Sequence, residues 1–227
     1  ALRANVPQQA PAAARLVVFD LDGTISRHDT LLAYLIGFFR RNRARWPRML
    51  LWIPAVLRFL ASGDRGALKS ALMRATLGGA SRSDIDAWTD CFVTGFLAHG
   101  AFADALRAVS HHRKEGDLLV LMSASPDLYV PEIGARLGFA ESICTGTQWQ
   151  GERFDGALTT PNRQGPEKAL CFAALQRRHP RMRSIAYGNS AHDFEHMQLA
   201  DEAWLVNASP ALLRASHGKH FHLANWR

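Results

Sequence analysis

Short apolar runs alternate with longer amphipathic segments along this chain. Residues 16–19 form a run rich in β-branched and aromatic side chains, which is typical of a buried strand. Similar runs occur at 117–125, 184–189 and 202–207, and a strand followed by a hairpin is indicated over 143–160. The segments 129–139, 165–178 and 191–200 have helical character. Strands separated by helices predict a parallel sheet with crossover helices on its faces.

The stretch from 29 to 112 has few β-branched residues and is too long for a single crossover helix. We therefore expect a helical cap at 29–112, inserted into a catalytic core made of 15–28 and 113–227. Residues 1–14 are rich in Ala, Pro and Gln, which predicts a flexible extension that is not a secretory signal. The expected fold class is α/β, a Rossmann-like, doubly wound parallel sheet with an inserted α-helical cap.

Composition sets broad limits on the class of protein. With 48% hydrophobic and 21% charged residues among 227, the chain is typical of a globular protein and not of a disordered one. Its three cysteines are widely spaced and form no CxxC pair, which indicates neither a disulfide framework nor a zinc site. This pattern fits a reducing compartment, and we expect a cytoplasmic location.

The positive charge is concentrated in one part of the chain. The net charge is +7, and no Asp or Glu occurs between Thr30 and Gly63. Apolar runs flank the basic residues of this acid-free segment, and neither run reaches the ~20 residues needed to span a bilayer. The segment contains two tryptophans and six arginines: Trp46, Trp52, Arg40, Arg41, Arg43, Arg45, Arg48 and Arg58.

Two interpretations of the acid-free segment stay open. It could form two core-facing helices joined by a solvated turn. It could instead form an interfacial surface for anionic lipid head groups, with the protein peripherally bound at the inner face of the membrane. The segment lacks a recognisable groove-binding motif, so we do not expect nucleic acid as a partner. The sequence does not indicate an oligomeric state.

Polar side chains follow several of the predicted strands. Asp20 and Asp22 come after the first strand and, two residues apart in an extended chain, lie on the same side. An Asp-Gly turn alone would explain them, but paired carboxylates also suit a divalent cation. Because the carboxyl ends of parallel strands share one edge, other polar residues should join them there. These are Ser123, Lys168, Asn189 and Asp193.

The order of these motifs resembles the haloacid dehalogenase superfamily, in its phosphoserine-phosphatase-like branch. DLDGT matches the first motif of the family, LMSAS the second, GPEK the third, and YGNSAHD occupies the place of the fourth, usually GDxxxD. The resemblance covers residues 16 to about 222 with plausible spacing. It implies a phosphatase that hydrolyses a phosphate monoester.

The resemblance also implies a role for each position. Asp20 would attack phosphorus and form an aspartyl-phosphate, while Asp22 would protonate the leaving alcohol and then activate water. The implied phosphate-binding residues are Gly23, Thr24, Ser123, Ala124 and Lys168. The implied cofactor is Mg²⁺, and its implied ligands are Asp20, Asp22, Asn189 and Asp193.

One position departs from the family pattern. Asn189 stands where the family usually has an aspartate, so its amide would bring an oxygen but no negative charge. Asp193 could compensate as a ligand or by orienting a bound water. We expect weaker Mg²⁺ binding than in a typical member.

Several alternatives concern substrate and activity. His192 and His196, four residues apart, could pair on one helix face as zinc ligands, but no third ligand is evident. Asp29, nine residues after Asp20, occupies a substrate-reading position of the phosphoserine-phosphatase pattern, or else caps a helix. The substrate could be a lipid phosphate such as phosphatidylglycerophosphate, as in similar bacterial enzymes of this branch, or a soluble, phosphoserine-like small molecule. A non-catalytic phosphate-binding or scaffold protein is the remaining alternative.

Overall fold

A six-stranded parallel sheet forms the centre of the part of the chain that the structure describes. The structure is a computed structural model and describes residues 14–227, so the predicted extension at 1–14 lies almost wholly outside the described residues. The strand order is β3-β2-β1-β6-β7-β8. The strands are β1 Leu16–Phe19, β2 Leu118–Pro126, β3 Glu141–Thr145, β6 Ser184–Gly188, β7 Glu202–Val206 and β8 His222–Ala224. The predicted parallel sheet is confirmed.

The first strand lies at the middle of this sheet. All four residues of β1 are buried, and Val18 is in register with Val120 of β2 on one side and Ala186 of β6 on the other. A strand buried on both faces needs a continuous apolar run instead of an alternating one. This requirement explains the LVVF sequence and places the residue that follows, Asp20, at the middle of the sheet edge.

Helices cover both faces of the sheet. Val17 and Phe19 contribute to one hydrophobic core, together with α5 (Ala103–Lys114) and α6 (Val130–Leu137). Leu16 and Val18 contribute to the other. That second core includes side chains from α7 (Pro166–Arg178) and α8 (Phe194–Met197). The alternation along β1 therefore separates two packed layers, as expected for a doubly wound fold.

The connection from β1 to β2 is largely helical. It contains α1 Thr30–Arg41, a 3₁₀ segment Arg43–Leu51, α2 Trp52–Ser62, α3 Arg65–Leu77, α4 Arg82–Gly95, a π-helical turn Phe96–Gly100 and α5. Asp29, Asp64 and Ser81 begin α1, α3 and α4 because each side chain accepts a backbone N–H of the first turn. The fold class, an α/β sheet with an inserted helical cap, is confirmed, whereas the division at residues 29 and 112 stays a prediction.

A small hairpin packs against this helical insertion. β4 Thr147–Gln150 and β5 Arg153–Leu158 pair antiparallel, and the Gly156 carbonyl accepts the Ser70 hydroxyl of α3 at 2.7 Å.

Near the chain end the structure has two elements that the hydrophobic pattern did not predict, the helix α9 Pro210–Ala215 and the strand β8. Among the described residues, no helix is long and apolar enough to cross a membrane.

Candidate active site

A cavity of about 500 Å³ opens at the carboxyl edge of the sheet, below helices α1 to α3. Its floor is polar and comes from the loops after β1 and β6, the end of β2 and the first turn of α7. Its opposite wall is apolar. Floor residues include Asp20, Asp22, Ser125, Lys168, Asn189 and Asp193, and the apolar wall includes Leu31, Leu35, Phe59, Leu68 and Leu72. The predicted convergence of polar side chains on one sheet edge is therefore seen in the structure.

Lys168 joins two carboxylates at the centre of the floor. Its Nζ donates to Asp20 Oδ1 at 2.5 Å and to Asp193 Oδ1 at 2.7 Å, and all three residues are buried. Pro166 starts α7, whose first turn places Lys168 under the sheet edge. The lysine therefore compensates negative charge from two loops that are far apart in sequence.

The ionisation of these three groups follows from burial and pairing. Burial raises the pKa of Asp20 to about 7, although Lys168 opposes this effect. Burial also acts to raise the pKa of Asp193, but Lys168 and further hydrogen bonds outweigh it and lower that pKa to about 2. The pKa of Lys168 stays above its ordinary value because the two carboxylates outweigh the effect of its own burial. The protein therefore stabilises the negative charge of Asp20 less than that of Asp193.

The loop after β1 shapes the surroundings of Asp20. Thr24 Oγ1 donates to Asp20 Oδ2 at 2.9 Å, so each carboxylate oxygen has a fixed donor. Gly23 has a φ of +80°, and a Cβ built on it would lie 1.9 Å from the Asn189 amide nitrogen. Only glycine allows the loop to turn there while the Asn189 side chain lies directly against it.

Asp22 has a separate set of partners. Its Oδ1 accepts the backbone N–H and the hydroxyl of Thr30, both at 2.7 Å, and its Oδ2 accepts the Ser125 hydroxyl at 2.6 Å. Desolvation raises the pKa of Asp22 more than these hydrogen bonds lower it. The first residue of α1 therefore holds this carboxylate in place from the side of the helical insertion.

Ser123 lies deeper than its predicted role suggests. It is fully buried, its hydroxyl accepts the Ser125 N–H at 3.0 Å, and its distance to Asp22 Oδ2 is 3.5 Å. Ala124 and Ser125, in contrast, line the cavity. The structure therefore brings Ser123 close to Asp22, behind the surface that a phosphate would meet.

The predicted substrate residue Asp29 lines the cavity and also caps α1, since its Oδ1 accepts the Leu32 N–H at 2.8 Å. Both interpretations of this residue are thus compatible with its position.

Lys69 of α3 reaches the same cavity, a role that the sequence analysis missed. Its Nζ donates to the Ala124 carbonyl and, at 2.6 Å, to Asn162 Oδ1. Burial lowers the pKa of Lys69 to about 8.

The histidine pair does not form a metal site. His192 is exposed at the cavity, whereas His196 is fully buried behind Asp193 and neither of its ring nitrogens has a hydrogen-bond partner. Burial lowers the pKa of His196 to about 3. Across residues 14–227 no three His, Cys, Asp or Glu side chains are grouped as metal ligands.

The oxygen donors of the floor fit a hard cation such as Mg²⁺. Asp20 offers a carboxylate and Asn189 an amide oxygen beside the Gly23 turn. Asp193 is less available than Asp20, whose two oxygens accept one donor each. Asp193 Oδ1 accepts Lys168, and its Oδ2 accepts three donors: the Asn189 N–H at 3.3 Å, the Ser190 N–H at 3.1 Å and the Ser190 hydroxyl at 2.7 Å. Asn189 is therefore the better candidate for direct coordination, with Asp193 holding the loop.

Comparisons with known proteins agree with this arrangement. The sequence profile of the family described as haloacid dehalogenase-like hydrolase matches residues 17–198. Protein CicA of Caulobacter vibrioides is 31% identical over 189 residues, which are 82% of this chain and 83% of that protein. The level of identity and the coverage place both chains in one family.

Solved structures share the fold at lower identity. A protein of unknown function from Bordetella pertussis superposes with a TM-score of 0.79 at 19% identity, covering 93% of this chain and 98% of that one. A probable phosphoserine phosphatase from Vibrio cholerae superposes with a TM-score of 0.69 at 12% identity, covering 88% of this chain and 58% of that one. The chain therefore belongs to the haloacid dehalogenase-like hydrolases and has the fold of their phosphoserine-phosphatase-like members.

Proposed function

We propose that this protein is a Mg²⁺-dependent phosphatase that hydrolyses a phosphate monoester through an aspartyl-phosphate on Asp20. The observation that carries the proposal is the position of Asp20 on the cavity floor. One of its carboxylate oxygens accepts Lys168 and the other accepts Thr24. A nucleophile held in one orientation at the end of a central strand suits in-line attack on phosphorus.

The two chemical steps use the two carboxylates of the β1 loop. In the first step, an Asp20 oxygen bonds to phosphorus, the ester P–O bond breaks, and Asp22 gives its proton to the leaving alcohol. In the second step, Asp22 takes a proton from water, whose oxygen attacks phosphorus and releases Asp20 and inorganic phosphate. The raised pKa of Asp22 favours the protonated form needed first, and Thr30 and Ser125 orient the carboxyl group.

The remaining floor residues bind and compensate charge. Lys168 lies beside Asp20 and would also contact a phosphoryl oxygen, while the backbone N–H groups of the Gly23 turn and the Ser123–Ala124 segment complete the cradle. Asp20, the Asp22 carbonyl and Asn189 would hold Mg²⁺. When bound, the ion would supply positive charge that stabilises the developing negative charge of the phosphoryl group.

The apolar wall of the cavity favours a bulky leaving group. Leu35, Phe59, Leu68 and Leu72 face the polar floor across the cavity. A small polar alcohol would leave this wall exposed to water, whereas the glycerol and acyl region of a lipid phosphate would cover it. We therefore propose a lipid phosphate, such as phosphatidylglycerophosphate, as the substrate class. A soluble, phosphoserine-like substrate is the second candidate, supported by the position of Asp29 in the cavity.

The test measures turnover of an aryl phosphate with and without Mg²⁺, beside Asp20→Asn and the exposed control Asp86→Asn. We expect Mg²⁺-dependent release of phosphate by the parent and by Asp86→Asn, and none by Asp20→Asn. Acid quenching during turnover of labelled substrate should trap label on the parent only. Substantial turnover by pure Asp20→Asn excludes the aspartyl-phosphate route, and an inactive parent favours a scaffold protein. A panel including phosphoserine and a lipid phosphate then separates the substrate classes.

A further inference from the structure

Helix α2 has an apolar face that no described residue covers. Ile53, Val56, Leu57 and Leu60 recur at the i, i+3, i+4, i+7 spacing of one helix face, and their exposed fractions range from 41% for Val56 to 73% for Leu60. Leu50 and Leu51 of the preceding 3₁₀ segment extend this surface, with exposed fractions of 68% and 52%. We call these six residues the outer face. A contiguous apolar surface of this kind indicates a binding partner.

The opposite side of the same helix already packs on the protein. The Trp52 ring lies 5.7 Å from the Phe39 ring, its Nε1 donates to Thr76 at 3.1 Å, and Ala55 is buried. Phe59, also on this inner side, lines the catalytic cavity. Helix α2 is therefore apolar on both sides, with Arg58 as its only charged residue. Helices that are apolar all round are normally buried, so the outer face needs a second apolar surface.

The charges beside the outer face indicate the kind of surface. Arg40, Arg41 and Arg43 are exposed, and within residues 14–227 none of them forms an ion pair with a carboxylate. The segment from Thr30 to Gly63 contains no acidic residue at all. An apolar face next to unpaired arginines complements an apolar layer that has an anionic boundary.

Two arginines of the segment have a different role. Arg45 donates to the Gly78 carbonyl at 3.1 Å, and Arg48 donates to the carbonyls of Gly78 and Arg74 at 2.8 and 3.0 Å. These carbonyls lie at the C-terminal end of α3, where carbonyl groups retain capacity to accept side-chain donors. Arg45 and Arg48 therefore hold the 3₁₀ segment to α3, and an experiment on lipid binding should leave them unchanged.

We propose that the outer face inserts into the surface of an anionic lipid bilayer, with Arg40, Arg41 and Arg43 at the head groups. The inference rests on the proposed function, because it names where a lipid substrate would be met. With 11 residues, α2 is about 16 Å long, far short of the roughly 30 Å hydrocarbon core, so it would lie in the plane of the interface. Phe59 on its inner side would then keep the cavity wall close to the membrane surface.

A second copy of the chain fits the outer face less well. A two-fold contact pairs a surface with itself, so the arginines of both copies would approach one another with no carboxylate from this segment to compensate them. Such like-charge contacts oppose association. Phospholipid head groups supply the missing negative charge without this conflict.

The experiment is co-sedimentation with vesicles of phosphatidylglycerol and phosphatidylcholine, and with phosphatidylcholine vesicles as reference. The outer-face variant carries Leu57→Gln and Leu60→Gln, and its control carries Leu170→Gln and Leu213→Gln, two leucines exposed on α7 and α9. We expect the parent and control to bind the anionic vesicles at low salt. The outer-face variant lacks two leucines that the bilayer would bury, so its vesicle partition coefficient should be lower by about tenfold or more.

The arginine contribution is tested in the same assay. The variant Arg40→Gln, Arg41→Gln, Arg43→Gln removes three charges beside the outer face, and Arg177→Gln, Arg181→Gln, Arg214→Gln removes three exposed charges elsewhere. Only the first should lose most of its binding, and added salt should reduce the difference. Trp46, half-exposed beside the outer face, should show a blue-shifted emission on binding that Trp46→Phe lacks.

Three results would overturn the proposal. The parent could stay in the supernatant, or the outer-face variant could bind as tightly as the control. The third result is a parent that dimerises without vesicles and becomes monomeric in the outer-face variant, which would assign the face to a second copy. Turnover of a soluble aryl phosphate, measured on every variant, separates these results from a failure of the proposed phosphatase activity, since Leu57 and Leu60 do not line the cavity.

Discussion

Lys168 and Asp20 form a buried ion pair with a distance of 2.5 Å between Nζ and Oδ1, although 148 positions separate them in the sequence. The same ammonium group reaches Asp193 at 2.7 Å. A buried lysine that compensates two carboxylates fixes the nucleophile and also makes the folded state depend on one charge. Function and stability should therefore respond together when this residue is changed.

The first prediction follows from this pair. Lys168→Met should lower kcat on an aryl phosphate by about 10²-fold or more, because the phosphoryl oxygens lose a preorganised cation. It should also lower the free energy of unfolding by about 3 kcal/mol at neutral pH, because two buried carboxylates lose their partner. Activity assays and urea unfolding check both effects, with the exposed Lys114→Met as control. An unchanged kcat contradicts the role assigned to Lys168.

The second prediction concerns the amide at the metal position. Asn189→Asp should lower the Mg²⁺ concentration for half-maximal activity by about tenfold, because it adds a charged ligand beside Asp20. Without Mg²⁺ the variant should melt at a lower temperature than the parent, because two carboxylates then repel each other. Asn225→Asp, on the exposed C-terminal segment, adds the same charge away from the cavity and should change neither value. A half-maximal concentration that is unchanged or higher contradicts this account of Asn189.

The sequence predicted the parallel sheet because buried strands have a local signature. The LVVF run of β1 is apolar throughout, and Asp20 follows it directly, so the edge of the sheet could be placed from sequence spacing alone. The helix expected over 191–200 is shorter in the structure, a 3₁₀ turn Ala191–Asp193 followed by α8. Ser190 and Asp193 form a reciprocal capping box at its start, in which Asp193 Oδ2 accepts the Ser190 N–H.

Contacts between distant segments could not be read in the same way. The sequence indicates only that a helix begins near Thr30, and it is the fold that brings the Thr30 hydroxyl to Asp22. Ser125 had a usable signal, because it lies two positions after Ser123 and so on the same side of a strand. Lys69 had one too, since it is one of only four lysines in an arginine-rich chain, as Lys168 is.

The third prediction uses the ionisation of Lys69. Burial lowers its pKa to about 8, so the ammonium loses its proton above about pH 8 and its attraction for an anionic substrate weakens there. The parent should therefore show a rising KM above that pH, with kcat much less affected. Lys69→Arg stays charged and should keep a flatter KM, whereas Lys69→Met should raise KM by about ten- to hundredfold at neutral pH. Equal KM profiles for parent and Lys69→Met would show that this ammonium does not contact substrate.

The last prediction concerns a buried base that the proposed chemistry does not use. His196 is fully buried, neither ring nitrogen has a hydrogen-bond partner, and burial lowers its pKa to about 3 in the folded protein. In the unfolded chain the pKa is about 6.5, so the unfolded state binds the additional proton as the pH falls. The neutral ring is therefore compatible with folding above about pH 6.5, and stability is lost progressively below it.

At pH 5 this difference corresponds to about 2 kcal/mol, which is the contribution of His196 alone; Asp20, whose raised pKa acts in the opposite direction, contributes equally to the parent and to a His196 variant. His196→Leu removes the titrating group and the two unpaired nitrogens, so its urea midpoint should fall less between those pH values. The exposed His217→Leu is the matched control and should retain the acid sensitivity of the parent. If His196→Leu loses as much stability on acidification as the parent does, then other groups cause that loss, and the buried imidazole is not an acid-sensitive element of this fold.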